Sequence, residues 1–450
     1  MTELSSPVRV LNRHFTKLRQ HPFWEKSNWK WRIALWAGAL LVALAAIVFA
    51  KASVLAYALF LQMLHYSKWL PLILTPVVFA LLAWVTEGRF SVVRGSGIPQ
   101  VIATLRIKNH DFQNKTLLLP AAIGKMLLTL IALTVGASIG REGPTVYVGA
   151  GVFYWMGKRF GFTDPKLASR FILAGGAAGI AAAFNTPLAG VMFAIEELAD
   201  AFEYRLSGLL LTAVIIGGVV SLGIMGNYAY FGKVQASLML NQAWLAVFAT
   251  GIIGGLAGGL FARLIILDEK SLSAYIVRWR ARAPIFFAAG CGLALALLGI
   301  FSNNSIYGTG YDQARAIVQN TAQMPDESFG LLKMLANIVS YWSSIPGGIF
   351  SPSLAVGAGL GHNIAHFLPQ VPPSAVVLLG MSAYLSGVTG APLTSTVIAI
   401  ELTDNQDMVI PIMAACLIGR IAATLFCPVP VYKAFANRII KDFENDTKVQ

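Results

Sequence analysis

Apolar runs separated by short polar, glycine- or proline-bearing breaks recur along almost the whole chain. They fall at about 33–50, 53–64, 69–85, 117–139, 145–157, 171–195, 207–231, 243–267, 284–301, 331–342, 353–367, 374–400 and 408–427. Many are shorter than the ~20 residues an α-helix needs to cross a bilayer. A helix that ends inside a membrane must be buried in protein or line a polar cavity, because lipid offers its backbone no hydrogen bonds. The pattern therefore predicts an all-α polytopic membrane protein with many tilted, partial and re-entrant helices. Its membrane domain covers 33–436, between a basic segment at 1–32 and a short tail at 437–450.

Two of these runs resemble one another. Asn185-Thr-Pro-Leu-Ala-Gly-Val-Met-Phe-Ala-Ile-Glu196 matches Gly390-Ala-Pro-Leu-Thr-Ser-Thr-Val-Ile-Ala-Ile-Glu401, with Pro187 and Pro392 205 residues apart. Pro144-Thr-Val-Tyr-Val-Gly-Ala-Gly151 matches Pro352-Ser-Leu-Ala-Val-Gly-Ala-Gly359 at an offset of 208. The chain is therefore a duplication, with halves at roughly 33–235 and 236–436. In transporters such repeats place the substrate near the bilayer midplane, where broken helices of the two halves point their N-termini at an anion.

Composition agrees with a membrane protein: 56% of residues are hydrophobic and 12% charged, with a mean hydropathy of +0.66. The net charge of +13 does not point to nucleic acid, because Lys and Arg sit in tails and loops and build no basic domain. They fit positive-inside topology. Arg9, Arg13, Lys17, Arg19, Lys26, Lys30 and Arg32 precede the first span, and Lys433, Arg438 and Lys441 lie near the end, so both termini are expected in the cytoplasm. No cleavable signal is visible, since about thirty polar and aromatic residues precede the first apolar run. Cys291, Cys416 and Cys427 are scattered through apolar runs and read as small core residues.

Three glycine-rich motifs carry candidate chemistry. Gly95-Ser-Gly-Ile-Pro99 follows a basic turn with Arg89 and Arg94; its glycines allow close backbone approach, Ser96 offers a hydroxyl, and free amides at a helix start favour an anion. Taken alone it also fits a tight turn with a capping serine. Gly140-Arg-Glu-Gly-Pro144 places a charged pair between two apolar runs, and an intramembrane ionisable residue is by default functional. Pro144 suits the first turn of a helix, so Glu142 lies near a positive helix end, where its carboxylate can stand in for a diffusible anion until protonation releases it. The alternative is an Arg141–Glu142 pair neutralised for structure. Gly347-Gly-Ile-Phe-Ser-Pro352 holds the equivalent place in the second half without the carboxylate.

These motifs, with Pro430-Val-Tyr432, resemble in order and spacing the selectivity-filter segments of the CLC family of chloride channels and chloride/proton exchangers. The resemblance covers roughly 86–436, and the family's oppositely oriented halves agree with the duplication. No counterpart of the cytoplasmic CBS domains of some members is expected. The resemblance implies that Ser96, Gly97 and Tyr432 flank a central anion with the amides of Ile349 and Phe350. It makes Glu142 the gating glutamate, within an outer anion site formed by Arg141, Glu142 and Gly143. Lys125 matches a basic residue that gives electrostatic support. Members with Ser at position 96 generally prefer chloride, and nitrate-accumulating relatives carry Pro.

Glu197, the second acid of Ala194-Ile-Glu-Glu-Leu198, resembles the cytoplasmic-side proton acceptor of exchangers. Two carboxylates separated by apolar chain can each take a proton from one side, so Glu197 and Glu142 are the expected proton-transfer pair. Glu196 is expected to be structural, because its counterpart Glu401 is followed by no second acid. Gln100 and Ile102 depart from bacterial exchangers, which often carry acids there. The expectation is a chloride/proton antiporter of a bacterial inner membrane, a homodimer with interfaces around 209–223 and 410–424, and not an enzyme. A passive channel or a fluoride/proton antiporter of the same family are the alternatives. No cofactor is implied. His362 and His366 stand four apart on one helix face but lack an HExxH glutamate or a third ligand, so no metal is expected. A membrane hydrolase using Ser96 would need a GxSxG elbow or histidine-rich segment that the sequence lacks.

Overall fold

The computed structural model describes residues 26–449 apart from 89, 163, 200–207, 227–228, 239 and 267–273. Arg9, Arg13, Lys17, Arg19 and Arg89 therefore lie outside the described residues. Among the described residues the regular structure is helical, with one isolated β-bridge. Six stretches among the described residues are helical, long and apolar enough to span a membrane. Pro71–Glu87, Ile98–Ile107, Pro373–Thr389, Pro392–Thr403 and Val409–Ala423 are apolar but shorter, as partial helices must be.

The apolar runs do not map one-to-one onto helices. Those at 33–50 and 53–64 form one helix of 41 residues, Lys26–Tyr66. Lys51 interrupts the hydropathy but not the helix, because lysine is a good helix former and neither Gly nor Pro stands beside it. Conversely, the runs at 171–195 and 374–400 are each broken in two. Pro165–Phe184 stops at Asn185 and Pro373–Thr389 stops at Gly390, both left-handed at φ +61° and +74°. Pro187 and Pro392 then open the next helices, following the preference for a left-handed stop and a proline start.

The two halves meet about a pseudo-two-fold axis whose position is read from backbone hydrogen bonds. Gly140 N donates to Gly348 O at 2.6 Å and Gly348 N donates to Gly140 O at 2.7 Å, an antiparallel bridge between residues 208 apart. Equivalent residues can exchange bonds in this way only where a two-fold axis passes between them. A second reciprocal contact agrees. Glu401 accepts from the Leu188 and Ala189 amides at 3.1 and 2.7 Å, and Glu196 accepts from the Leu393 and Thr394 amides at the same 3.1 and 2.7 Å. Each carboxylate caps the helix start of the opposite half, where the amides lack intrahelical partners. The structural role expected of Glu196 is thereby given its geometry.

Close helix crossings lock each half. A Cβ on Gly149 would lie 2.2 Å from Gly175 O, so helices Glu142–Arg159 and Pro165–Phe184 touch through backbone. The second half repeats this at Gly357, whose Cβ would lie 2.8 Å from Gly380 O, between Phe350–Ala365 and Pro373–Thr389. Small residues that allow backbones to approach are the usual source of helix affinity in a membrane. Gly149→Val should therefore force the crossing apart and cost about 1–3 kcal/mol or more. The detergent-solubilised variant should melt well below wild type, and an unchanged thermal midpoint would contradict the contact.

Candidate functional site

Three helix starts and one buried tyrosine converge on the axis. Ile98–Ile107 begins after Gly97, Glu142–Arg159 after Arg141 and Phe350–Ala365 after Ile349, and Tyr432 lies fully buried at the head of Val431–Val449. The three glycine motifs interlock without room for side chains. A Cβ on Gly143 would fall 2.2 Å from Ser96 Oγ, one on Gly97 would fall 2.7 Å from Tyr147 Cβ, and one on Gly348 would fall 3.0 Å from Gly143 N. Gly347 N donates to Gly95 O at 3.2 Å. The structure thus brings together Ser96, Gly97, Arg141, Glu142, Gly143, Ile349, Phe350 and Tyr432. Phe350 packs between Phe184 and Phe193, at centroid distances of 5.7 and 6.3 Å.

The hydroxyls of Ser96 and Tyr432 come close to one another, and neither bonds to any other group of the protein. Both are buried, and an unpaired buried hydroxyl is costly. Both hydroxyls can donate, and they lie beside the interlocked helix starts.

Glu142 is fully buried and sits at a helix start of the other half. Its Oε1 accepts from Ser351 Oγ at 2.6 Å, and its Oε2 lies 3.4 Å from the donating Ser351 amide. Arg141 is a looser neighbour, with Nε 4.0 Å from Glu142 Oε1, while its Nη1 donates to Ala50 O at 2.8 Å. The carboxylate is held by the N-terminus of Phe350–Ala365 rather than by its sequence neighbour. Sequence reasoning missed Ser351, although it lies inside the third motif.

Lys125 does more than set a potential. It is buried, and its Nζ donates to Val93 O, Arg94 O and Gly95 O at 2.7, 3.3 and 3.0 Å. Its ammonium also lies 4.9 Å from the Tyr147 ring centroid. These bonds fix the turn that carries Ser96. Gln100 serves the same turn, donating to Arg94 O at 2.8 Å, and Ile102 is packed in the core.

Glu197 stands apart from this cluster, on a π-helical turn at Ala194–Leu198. It is buried, and neither carboxyl oxygen has a hydrogen-bond partner. Glu196, next to it, has three, counting Thr394 Oγ1 at 2.8 Å. Lys433 Nζ reaches the Glu196 carbonyl at 3.5 Å, placing a cation near this turn.

The chain matches the model of the family described as voltage gated chloride channel over residues 78–424. It is 31% identical over 339 residues to the H(+)/Cl(-) exchange transporter ClcA of Yersinia pestis, covering 70% of this chain and 68% of the relative. The ClcA of Vibrio parahaemolyticus is 28% identical over 395 residues, 83% of this chain and 81% of the relative. A slow cyanobacterial Cl-/H+ antiporter superposes with a TM-score of 0.77 at 22% identity, over 91% of this chain and 97% of its own. A CLC-type fluoride/proton antiporter gives 0.75 at 21%, over 89% and 96%. At these identities the two structures bear on the fold alone.

Lys125→Met should keep the bulk of the side chain while removing its three bonds. The turn before Ser96 then loses its support, and anion flux into liposomes should fall at least about tenfold, the loss of roughly 1.4 kcal/mol in binding. Flux equal to wild type would mean that the turn holds itself.

Proposed function

The chain belongs to the voltage-gated chloride channel family, and we propose that it is a secondary transporter exchanging chloride for protons, with Glu142 as its gate. It belongs to a family of transporters, not enzymes. The observation that carries the gate is Glu142's position: a carboxylate seated on Ser351 at the start of the opposite half's helix, where a diffusible anion would sit. An anion and this carboxylate compete for the same positive helix end. Protonation removes the carboxylate's charge and frees the place for chloride. One proton exchanged against anions crossing the same point is the core of coupled transport.

Chloride's central position is assigned to the unpaired hydroxyls of Ser96 and Tyr432, beside Gly97 and the amides of Ile349 and Phe350. Arg141 and Gly143 border the outer position, and Lys125 supports the inner turn. Glu197 completes the proton path, which favours an exchanger over a passive channel. Ile102 gives no titratable group on that path, so proton entry uses a route other than the acids of bacterial exchangers. The intact Gly95-Ser-Gly-Ile-Pro99 favours chloride over fluoride. The names of the ClcA relatives support the same exchange.

The proposal extends to the assembly and its place: a homodimer in a bacterial-type inner membrane, one pathway per subunit, both termini cytoplasmic. Leu188, Ile215, Leu393 and Ile421 are exposed on helices that pack together, as an interface between subunits would require.

Glu142→Gln and Glu197→Gln should each abolish uphill proton movement driven by a chloride gradient, while chloride continues to cross. The measurement is proton uptake beside chloride efflux in liposomes. Proton pumping that survives Glu142→Gln sinks the gate assignment, and a wild type that never pumps makes the protein a channel.

Ser96→Pro should shift preference from chloride toward nitrate, because it removes a hydroxyl donor worth about 1 kcal/mol, or roughly fivefold. Paired fluxes of the two anions test this. Unchanged selectivity would reduce Ser96 to a turn residue.

A further inference from the structure

The turn that carries Ser96 is built twice. Gly95-Ser-Gly97 recurs 213 residues later as Gly308-Thr-Gly310, and the likeness extends to the backbone. The flanking glycines have φ of +62° and +97° in the first turn and +67° and +77° in the second, left-handed values that favour glycine. In each turn the last glycine caps a helix start, of Ile98–Ile107 and of Tyr311–Val318. Each turn also has a buried lysine behind it. Lys333, 208 residues after Lys125, donates to Ile306 O, Gly308 O and Ser138 Oγ at 2.7, 2.8 and 2.8 Å. Because the halves are inverted, the second turn faces the opposite side of the membrane from the first.

The second turn opens on a cavity of about 530 Å³ whose walls include Lys51, Arg141, Tyr230, Thr309, Tyr311 and Asp312. At ~30 Å³ per water this holds an ion with its hydration shell. Two cations line it, and the acid Asp312 has Arg315 beside it. The cavity is one side chain away from Glu142, since Arg141 Nε lies 4.0 Å from the carboxylate and Tyr230 neighbours Ser351. Tyr311 OH donates to Tyr230 O at 2.9 Å and so ties the turn to that wall. Lys51 is the only Lys, Arg, Asp or Glu between Ile33 and Tyr66, and it lines this cavity.

We infer that this cavity is a second anion site, in which chloride waits, still hydrated, between Thr309, Lys51 and Arg141 before it displaces Glu142. The inference rests on the exchange reading and adds to it a place where anions are captured from that side. Thr309 differs from Ser96 as this task demands. It is half-buried, and its Oγ1 accepts from the Tyr311 amide at 3.3 Å, leaving only the hydroxyl proton for a ligand. Such a site captures anions loosely and concentrates them at the mouth without selecting among them.

Bromide, read by its anomalous scattering in crystals of the full chain, is the direct probe. A peak beside Thr309 that persists in Thr309→Ser and vanishes in Thr309→Val is the expected result. Bromide at Ser96 and Tyr432 but absent from the cavity overturns this inference alone, and bromide at neither overturns the anion reading of the filter with it. A lipid headgroup in the cavity in place of bromide also overturns it. In oriented liposomes, Lys51→Gln should raise the KM for chloride about three- to tenfold when chloride is supplied on the cavity side, and leave the KM from the other side as in wild type. Equal changes on both sides, or none, refute a one-sided capture site.

Discussion

The reciprocal pair of backbone bonds between Gly140 and Gly348 is the constraint on which the rest of the architecture depends. It joins residues that are equivalent in the two halves, so it fixes the axis, and the axis decides that helix starts face one another in the interior. No side chain other than glycine's hydrogen fits at this junction: a Cβ on Gly140 would fall 2.4 Å from Glu142 Oε2 and 2.9 Å from Pro352 Cδ. The motif glycines are thus required by packing at the axis before they are required by any ligand.

Helix starts gathered in a membrane present a common difficulty, because their first amides have no partner within the helix and no water to turn to. This fold answers it mostly with carboxylates. Glu401 and Glu196 cap Pro187–Phe193 and Pro392–Thr403, and Glu142 occupies the start of Phe350–Ala365. The first two are held by paired amide bonds. Glu142 has a short hydroxyl bond and one longer amide contact. Where Ser96 and Tyr432 meet, neither hydroxyl bonds to any other protein group.

Much of this was legible in the sequence. The duplication, the three glycine motifs and the charge on Glu142 identified the fold class and most of the residues that converge, because a motif that bars side chains leaves a run of glycines in the sequence. Hydropathy misjudged element boundaries, joining helices across Asn185 and Gly390 and dividing one at Lys51, since it registers polarity and not backbone geometry. The partners of the carboxylates were not legible, because contacts between residues some 200 apart depend on the axis. The repeat of Gly95-Ser-Gly97 at Gly308-Thr-Gly310 was present in the sequence yet hidden by divergence after the second glycine, where Ile98 and Pro99 are replaced by Tyr311 and Asp312. Only the matching φ values and the two buried lysines make it plain.

The duplication also gives an internal control for Glu197. Its counterpart 205 residues later is Leu402, fully buried, within the regular helix Pro392–Thr403. The symmetric position is therefore an apolar one, and a leucine fills it where packing alone decides. In the first half the same place carries a carboxyl with no hydrogen-bond partner, on a turn that has loosened from α to π geometry. π-bulges are frequent at functional sites, and an unpartnered buried carboxyl is destabilising in any protonation state. Glu196 cannot be the cause, since Glu401 makes the equivalent capping bonds from an undistorted helix. Among the described residues the distortion and the unpaired acid go together, in the first half and not at its counterpart in the second.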